Sequence, residues 1–415
     1  MKKLTFTLVL CFIAGISFGQ KKAVNDAKAE IKVKSTASNS TSNLDEARTL
    51  IQGALKNPET MNEAETWYVA GQIEEKQFES EQTKEVMGLK PNEDLMYKSL
   101  SKIAPYFVKA DELDQLPDAK GKVKPKYRKD IKAIIQANRP YYVNAGSYFY
   151  DKEDYQQAYE NFKFYGDIPK LPMYAGDAKL FEVLADDTTA IKIRYYAGLA
   201  ASLIPNPQAA IEIFDEIKDL GFNENEIYQR IAVAYTQQHD TVNFIKILEK
   251  GAAKFPEDPY YTLNLINLYI GKGETDKAID YLQKALALSP NDAQLYDVLG
   301  LVYENTKEPD KAIESIKKAI EINPDNADAL SHLGRLYYNT GIEARGEADN
   351  ITDSKLYNEA IKKVDNYFQQ AIPYFEKAYQ LNNDDSDAVF ALRNIYYSLG
   401  NNEAYEKWDK IYSGK

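Results

Sequence analysis

The 415-residue chain carries 63 acidic against 51 basic side chains, a formal charge of −12, and its 44% hydrophobic content is enough for a folded core. One cysteine, Cys11, and only two histidines and two tryptophans stand against 32 tyrosines. This inventory excludes a disulfide scaffold, a Cys/His metal centre, a cysteine nucleophile and a basic nucleic-acid surface.

Residues 1–19 read as a secretory signal. Lys2 and Lys3 give the positive start, Leu4 to Ile16 the short apolar run, and Ser17-Phe18-Gly19 the small residues before a cut at Gly19-Gln20. The expected location is the periplasm or outside the cell; the alternative is a single uncleaved anchor. Lipidation at Cys11 is disfavoured by bulky Leu10 before it. The run is too short to span a bilayer. Residues 20–43, polar and ending in a Ser/Thr/Asn run, are expected to form a disordered tether.

Pro256, Pro290 and Pro324 then recur every 34 residues, and the segments between them share columns. The clearest unit reads Tyr296-x2-Leu299-Gly300-x2-Tyr303, Ala312-x3-Ile316-x2-Ala319, Pro324. Apolar residues at i, i+3, i+4 and i+7 make one stripe on a first helix, and Gly300 and Gly334 let a neighbouring helix approach closely. Gly273, Gly341 and Gly400 are expected to end first helices. Pro309 starts a second helix, and the closing prolines stop it.

The pattern resembles the tetratricopeptide repeat family, well over Arg139 to Lys415 and loosely over residues 44–138, where Trp67-x2-Ala70-Gly71 fits but Glu74 occupies the aromatic column. The resemblance implies an all-α solenoid of stacked antiparallel helix pairs, a right-handed superhelix of about seven to eight units. Insertions are expected at 171–190 and 342–370. The second predicts one long helix over Ser354 to Leu381, roughly 40 Å at 1.5 Å per residue, with Pro373 inside it. Pro373-Tyr374-Phe375-Glu376-Lys377-Ala378 echoes Pro105-Tyr106-Phe107-Val108-Lys109-Ala110. These additions carry specificity or only fill a packing gap.

No residue set supports an enzyme. Gly15-Ile16-Ser17-Phe18-Gly19 matches a nucleophile pattern but lies in the signal, and Gly271-Lys272-Gly273 lacks the rest of a phosphate loop. His239 lies in a turn, and His332 stands alone on a first helix. The acids of Asn382-Asn383-Asp384-Asp385 suit a helix cap, not a calcium loop. No cofactor and no metal are expected.

In such an array the first helices line an inner wall, and the residues opposite the core stripe are its working face. The candidate partner-binding residues are Tyr150, Tyr195, Gln229, Asn267, Asp297, Ser331, Arg335, Tyr338, Asn394 and Tyr397. Family members that grip a terminal carboxylate do so with lysine, arginine and asparagine. Here only Lys192 and Arg335 are basic on the wall, and tyrosine, asparagine and glutamine suit a protein or peptide, a partner helix or a sugar chain better than an anion. Five Tyr-Tyr pairs on first helices place one ring inward and one toward the groove, or simply fill gaps. The expectation is an exported scaffold that binds a protein or peptide, not nucleic acid, and supports a membrane-associated envelope complex. The alternative is a glycan-binding protein of nutrient uptake. No pattern specifies an oligomeric state.

Overall fold

The computed structural model describes residues 21–31, 40–118, 120–177, 180–181 and 187–414. The expected signal, most of the Ser/Thr/Asn run and part of the 171–190 insertion lie outside them. Among the described residues every regular element is helical. The helices are α1 (21–31), α2 (Ser40–Lys56), α3 (Ala64–Val86), α4 (Glu93–Asp114), α5 (Arg128–Asp151), α6 (Tyr155–Asp167), α7 (Thr188–Ala201), α8 (Pro207–Ile217) and α9 (Glu224–Gln237). There follow α10 (Thr241–Lys254), α11 (Pro259–Gly271), α12 (Thr275–Leu288), α13 (Ala293–Asn305), α14 (Pro309–Ile322), α15 (Ala327–Ala348), α16 (Ser354–Leu381), α17 (Ser386–Ser398) and α18 (Asn402–Tyr412).

The chain divides after Phe244 into two compact units. Within each, helices pack on their sequence neighbours, and then on the next but one, as α4 does on α6, α13 on α15 and α15 on α17. Such nearest-neighbour packing is what a solenoid of stacked helix pairs requires.

Short polar residues begin many of the helices. Asp292 Oδ1 accepts from the backbone N–H of Gln294 at 2.9 Å and of Leu295 at 3.2 Å, and Asn326, Asp353, Asp385 and Asn401 cap α15 to α18 in the same way. The closing prolines act as expected: α10, α12 and α14 end at Lys254, Leu288 and Ile322, two residues before Pro256, Pro290 and Pro324. In five of the pairs the turn between first and second helix passes through one left-handed residue. That residue is Glu153, His239, Gly273, Lys307 or Gly400, with φ between 56° and 70°.

The small column on the first helix has a definite use. A Cβ on Gly71, Gly146, Gly198 or Gly334 would lie 2.4 to 2.8 Å from the ring of Phe107, Phe162, Phe214 or Phe375, each from the second helix of the same pair; at Gly300 the occupant is Ile316. At each of these five positions the notch seats one large side chain. The two echoed hexapeptides each supply that side chain, Phe107 and Phe375, which are 0% and 1% exposed.

Two expectations are corrected. Residues 21–31 are helical and not a tether: Val24, Ala27 and half-buried Ile31, spaced i, i+3, i+7, pack with Ala47, Ile51, Val69, Ala70 and Ile73. The expected tether's last residues, 40–43, begin α2. Gly341 does not end its helix; α15 continues for two more turns to Ala348. The described start of the 171–190 insertion forms one short 3-10 turn, Pro172–Tyr174, which buries Met173 and Tyr174. The misfit at Glu74 is answered locally, since its buried carboxylate receives Arg48 Nε and Nη2 at 2.9 and 3.1 Å from α2.

Candidate functional site

The first helices of the C-terminal unit carry most of the anticipated wall, and its side chains are tied to one another from helix to helix. His332 Nδ1 on α15 lies 3.0 Å from both carboxylate oxygens of Asp297 on α13. A carboxylate only accepts, so Nδ1 carries the proton. One turn further along, Arg335 Nη1 and Nη2 donate to the two oxygens of Glu304 at 3.0 and 2.9 Å. Further on, Asn394 Nδ2 of α17 donates to Tyr338 Oη at 3.3 Å.

These ties change the standing of two candidates. Asp297 is buried, 7% exposed, because His332 closes over it, and Tyr195 in the N-terminal unit is buried to the same degree. Tyr195 donates its hydroxyl to Glu226 at 2.6 Å; burial first, then this acid, raises the phenol's pKa, while the bond lowers that of Glu226. Its neighbour Tyr196 is the exposed ring of that pair. The pairs do split as the 100° step of a helix demands: Tyr142, Tyr261 and Tyr337 are buried beside more exposed Tyr141, Tyr260 and Tyr338. Of the other candidates, Asn267 and Tyr397 are exposed, and Tyr150, Gln229, Ser331, Arg335, Tyr338 and Asn394 are half-buried.

Two depressions mark this wall. One, of about 1040 Å³, runs between α13 and α15 at their N-terminal ends and holds four carboxylates: Asp292, Asp297, Asp325 and Asp328. The second, of about 470 Å³, brings together Tyr338, Asn394 and Tyr397 with Ile342, Arg345 and Phe368. The last three belong to the 342–370 insertion. Tyr338 stacks on Phe368 with ring centroids 5.8 Å apart and planes 28° from parallel, while Tyr397 is 73% exposed at the rim. Insertion and wall thus share one pocket.

The sequence reading passed over Ile342 and Arg345. The signal that could have found them is a seven-residue echo: Gly341 follows Gly334 by seven, and Phe368 precedes Phe375 by seven, so a second notch lengthens the antiparallel pair. That extension is what carries Ile342 and Arg345 out beside Tyr397.

Among the described residues no group of three or more His, Cys, Asp or Glu is placed to hold a metal ion, and no helix is long and apolar enough to cross a membrane. His239 sits exposed in its turn at φ 56°, and His332 is held by Asp297.

Stacked helix pairs presenting a cross-tied face define a helical-repeat protein. Residues 267–307 and 308–341 match the family model for the TPR repeat, so this stretch of the C-terminal unit is similar to tetratricopeptide repeats. Among solved structures, a TPR repeats protein of Bacteroides fragilis NCTC 9343 is 20% identical over 62% of this chain and 98% of its own, with a TM-score of 0.32. YrrB, described as a TPR protein with an unusual peptide-binding site, is 15% identical over 49% of this chain and 96% of its own, at 0.33. MamA of Desulfovibrio magneticus RS-1 is 20% identical over 43% and 95%, at 0.30. Likenesses of that size carry no statement about a partner. No curated protein matches the chain.

Proposed function

We propose that this protein is an exported scaffold that receives a protein or peptide partner on the first-helix face of its C-terminal unit and supports assembly of an envelope complex in the periplasm. The observation that carries the binding reading is the pocket where Tyr338, Asn394 and Tyr397 meet Ile342 and Phe368. It sets an exposed aromatic ring and a half-buried amide on a face already braced by Asp297–His332 and Glu304–Arg335. Bracing before the partner arrives lowers the ordering cost of docking. Export rests on the N-terminal segment alone: lysines, an apolar run and a small-residue cut before Gln20. On this reading the role is binding, and His332 serves it by bracing Asp297 on the wall.

The test is a cross-linked pull-down from the native envelope with wild type, Tyr397→Ala, Ile342→Ala and, as a control away from the pocket, Lys318→Ala. Wild type and the control should recover the same partner, and the two pocket variants should lose it. Equal recovery by all four would end the reading. Cell fractionation with N-terminal sequencing checks export, which predicts a periplasmic chain beginning at Gln20. A full-length cytoplasmic chain would overturn that part alone.

A further inference from the structure

The two depressions differ in chemistry, and both border α15. The pocket is an aromatic and aliphatic recess: Phe368, 2% exposed, backs it, Tyr338 is stacked on that ring, and Ile342 (48% exposed) and Tyr397 (73%) stand open beside it. Exposed large apolar side chains gathered around a recess mark the place where a partner's side chain is desolvated. Arg345 belongs to the same recess, and its guanidinium already meets Asp349 four residues on, Nε to Oδ1 at 3.3 Å.

The flanking trough between α13 and α15 is acidic. Of its four carboxylates, Asp292 is engaged in capping α13, Asp297 faces His332 and Asp325 faces Lys377 at 3.2 Å, while Asp328 is exposed with no ion pair among the described residues. The whole chain is acidic as well, at −12. The charge of the surroundings therefore selects a cationic partner over an anionic one.

Geometry sets the spacing. From His332 to Tyr338 and Ile342 is six to ten residues of one helix, about 9 to 15 Å at ~1.5 Å per residue. An extended chain advances ~3.3 Å per residue and crosses that gap in about three to five positions. We propose that the occupant of this face is an extended basic peptide segment. It seats one aromatic or large aliphatic side chain against Tyr338, Ile342, Phe368 and Tyr397, and lays a lysine or arginine, three to five positions away, over the acidic trough. This rests on the partner-binding reading above and adds the chemistry of the partner to it.

The pocket supplies apolar contact, and the trough supplies charge selection. Such a division predicts that the apolar residue governs how long the complex lasts, while the basic residue governs its salt dependence.

The experiment is selection of a random peptide library displayed on phage against the full chain. It is followed by fluorescence anisotropy of the enriched peptides with wild type, Tyr397→Ala, Ile342→Ala and Asp328→Asn. The expected result is enrichment of Lys or Arg three to five positions from Tyr, Phe, Trp or Leu. Affinity should fall about tenfold or more in each pocket variant. Asp328→Asn should flatten the salt dependence while leaving binding at high salt unchanged. Circular dichroism of each variant checks that it is folded, and Ile342→Val, which keeps the branched shape, should retain binding where Ile342→Ala does not.

Enriched peptides without the pair, binding insensitive to the pocket variants, or no enrichment at all would each overturn this inference. Failure of the broader reading looks different, because it is the native partner whose recovery is then indifferent to Tyr397 and Ile342. A partner lost by those variants, with no basic peptide enriched, leaves the scaffold reading standing and removes only the peptide chemistry. A glycan in place of a peptide would show as competition of the native partner by oligosaccharide, and would count against the inference.

Discussion

A Cβ placed on Gly341 of α15 would stand 2.7 Å from Cε1 and 2.8 Å from Cδ1 of Phe368 on α16. No real side chain tolerates that approach, so the glycine is there for space and the ring for filling it. Gly334 and Phe375 make the same contact seven residues away on each helix, and together the two notches hold the extended pair closed.

The sign of Gly341→Ala separates this account from its rivals. Inside an unobstructed helix, alanine in place of glycine stabilises by about 1 kcal/mol. Against a ring that is 2% exposed, overpacking costs about 1 to 3 kcal/mol. The expected net effect is a loss of about 1 kcal/mol, read as a lowered Tm. Phe368→Leu in the same chain should recover part of that loss. A rise in Tm for Gly341→Ala alone would show the notch to be slack.

Lys307 makes the opposite case. It holds φ 59° in the turn before α14, the place where Gly273 sits one repeat earlier with φ 70°. A left-handed conformation costs a residue with a Cβ about 1 to 2 kcal/mol, partly offset by the lower unfolded-state entropy of a non-glycine residue. Lys307→Gly should therefore raise stability by about 0.5 to 1 kcal/mol in urea denaturation. Unchanged or lower stability would mean that the lysine side chain contributes more than the strain removes.

The wall ties should differ in salt sensitivity. Glu304 and Arg335 are side chains of a half-exposed bidentate pair, for which double-mutant coupling of about 0.5 to 1 kcal/mol is expected, shrinking in high salt. Asp297 is buried, and its hydrogen bond to His332 should keep a coupling of about 1 kcal/mol at either ionic strength. Equal salt responses for the two pairs would contradict this difference in burial.

A pH effect comes from Glu75 on α3. Burial first, with Glu79 adding to it and Lys76 opposing, pushes this carboxyl up to about 7 from its ordinary 4.5. Between those values the folded chain holds a proton that the unfolded chain has released. Glu75 thus favours folding below pH 4.5 relative to pH above 7, and stability falls as pH rises through that window. Glu75→Gln should be more stable than wild type at pH 8, with a flatter pH profile between 5 and 8. Parallel profiles for the two proteins would show that the carboxyl titrates normally.

Much of the architecture is written in local pattern. The 34-residue proline spacing, the capping Asp and Asn residues and the apolar stripes each act within one or two helices, and α10 through α14 stand where those signals place them. Wall residues followed from the same phase, and Ser331, Arg335, Tyr338, Asn394 and Tyr397 do lie at least partly open on first helices. Pattern failed where a local signal had two physical meanings. Glycine ends a helix at Gly400, with φ 70°, and admits a neighbouring ring at Gly341, and residue spacing alone does not distinguish them. Burial of Asp297 depended on a histidine 35 positions later.

By itself the sequence determined that this chain is helical, repeated every 34 residues through its clearest stretch and acidic, because propensity, capping and periodicity are short-range properties of the backbone. Only the tertiary structure decided that the 342–370 insertion lengthens an existing pair, that its residues complete the pocket begun by Tyr338, Asn394 and Tyr397, and that Asp297 is closed from solvent. Those outcomes depend on which side chains meet across two helices, and close packing, not chain order, settles that.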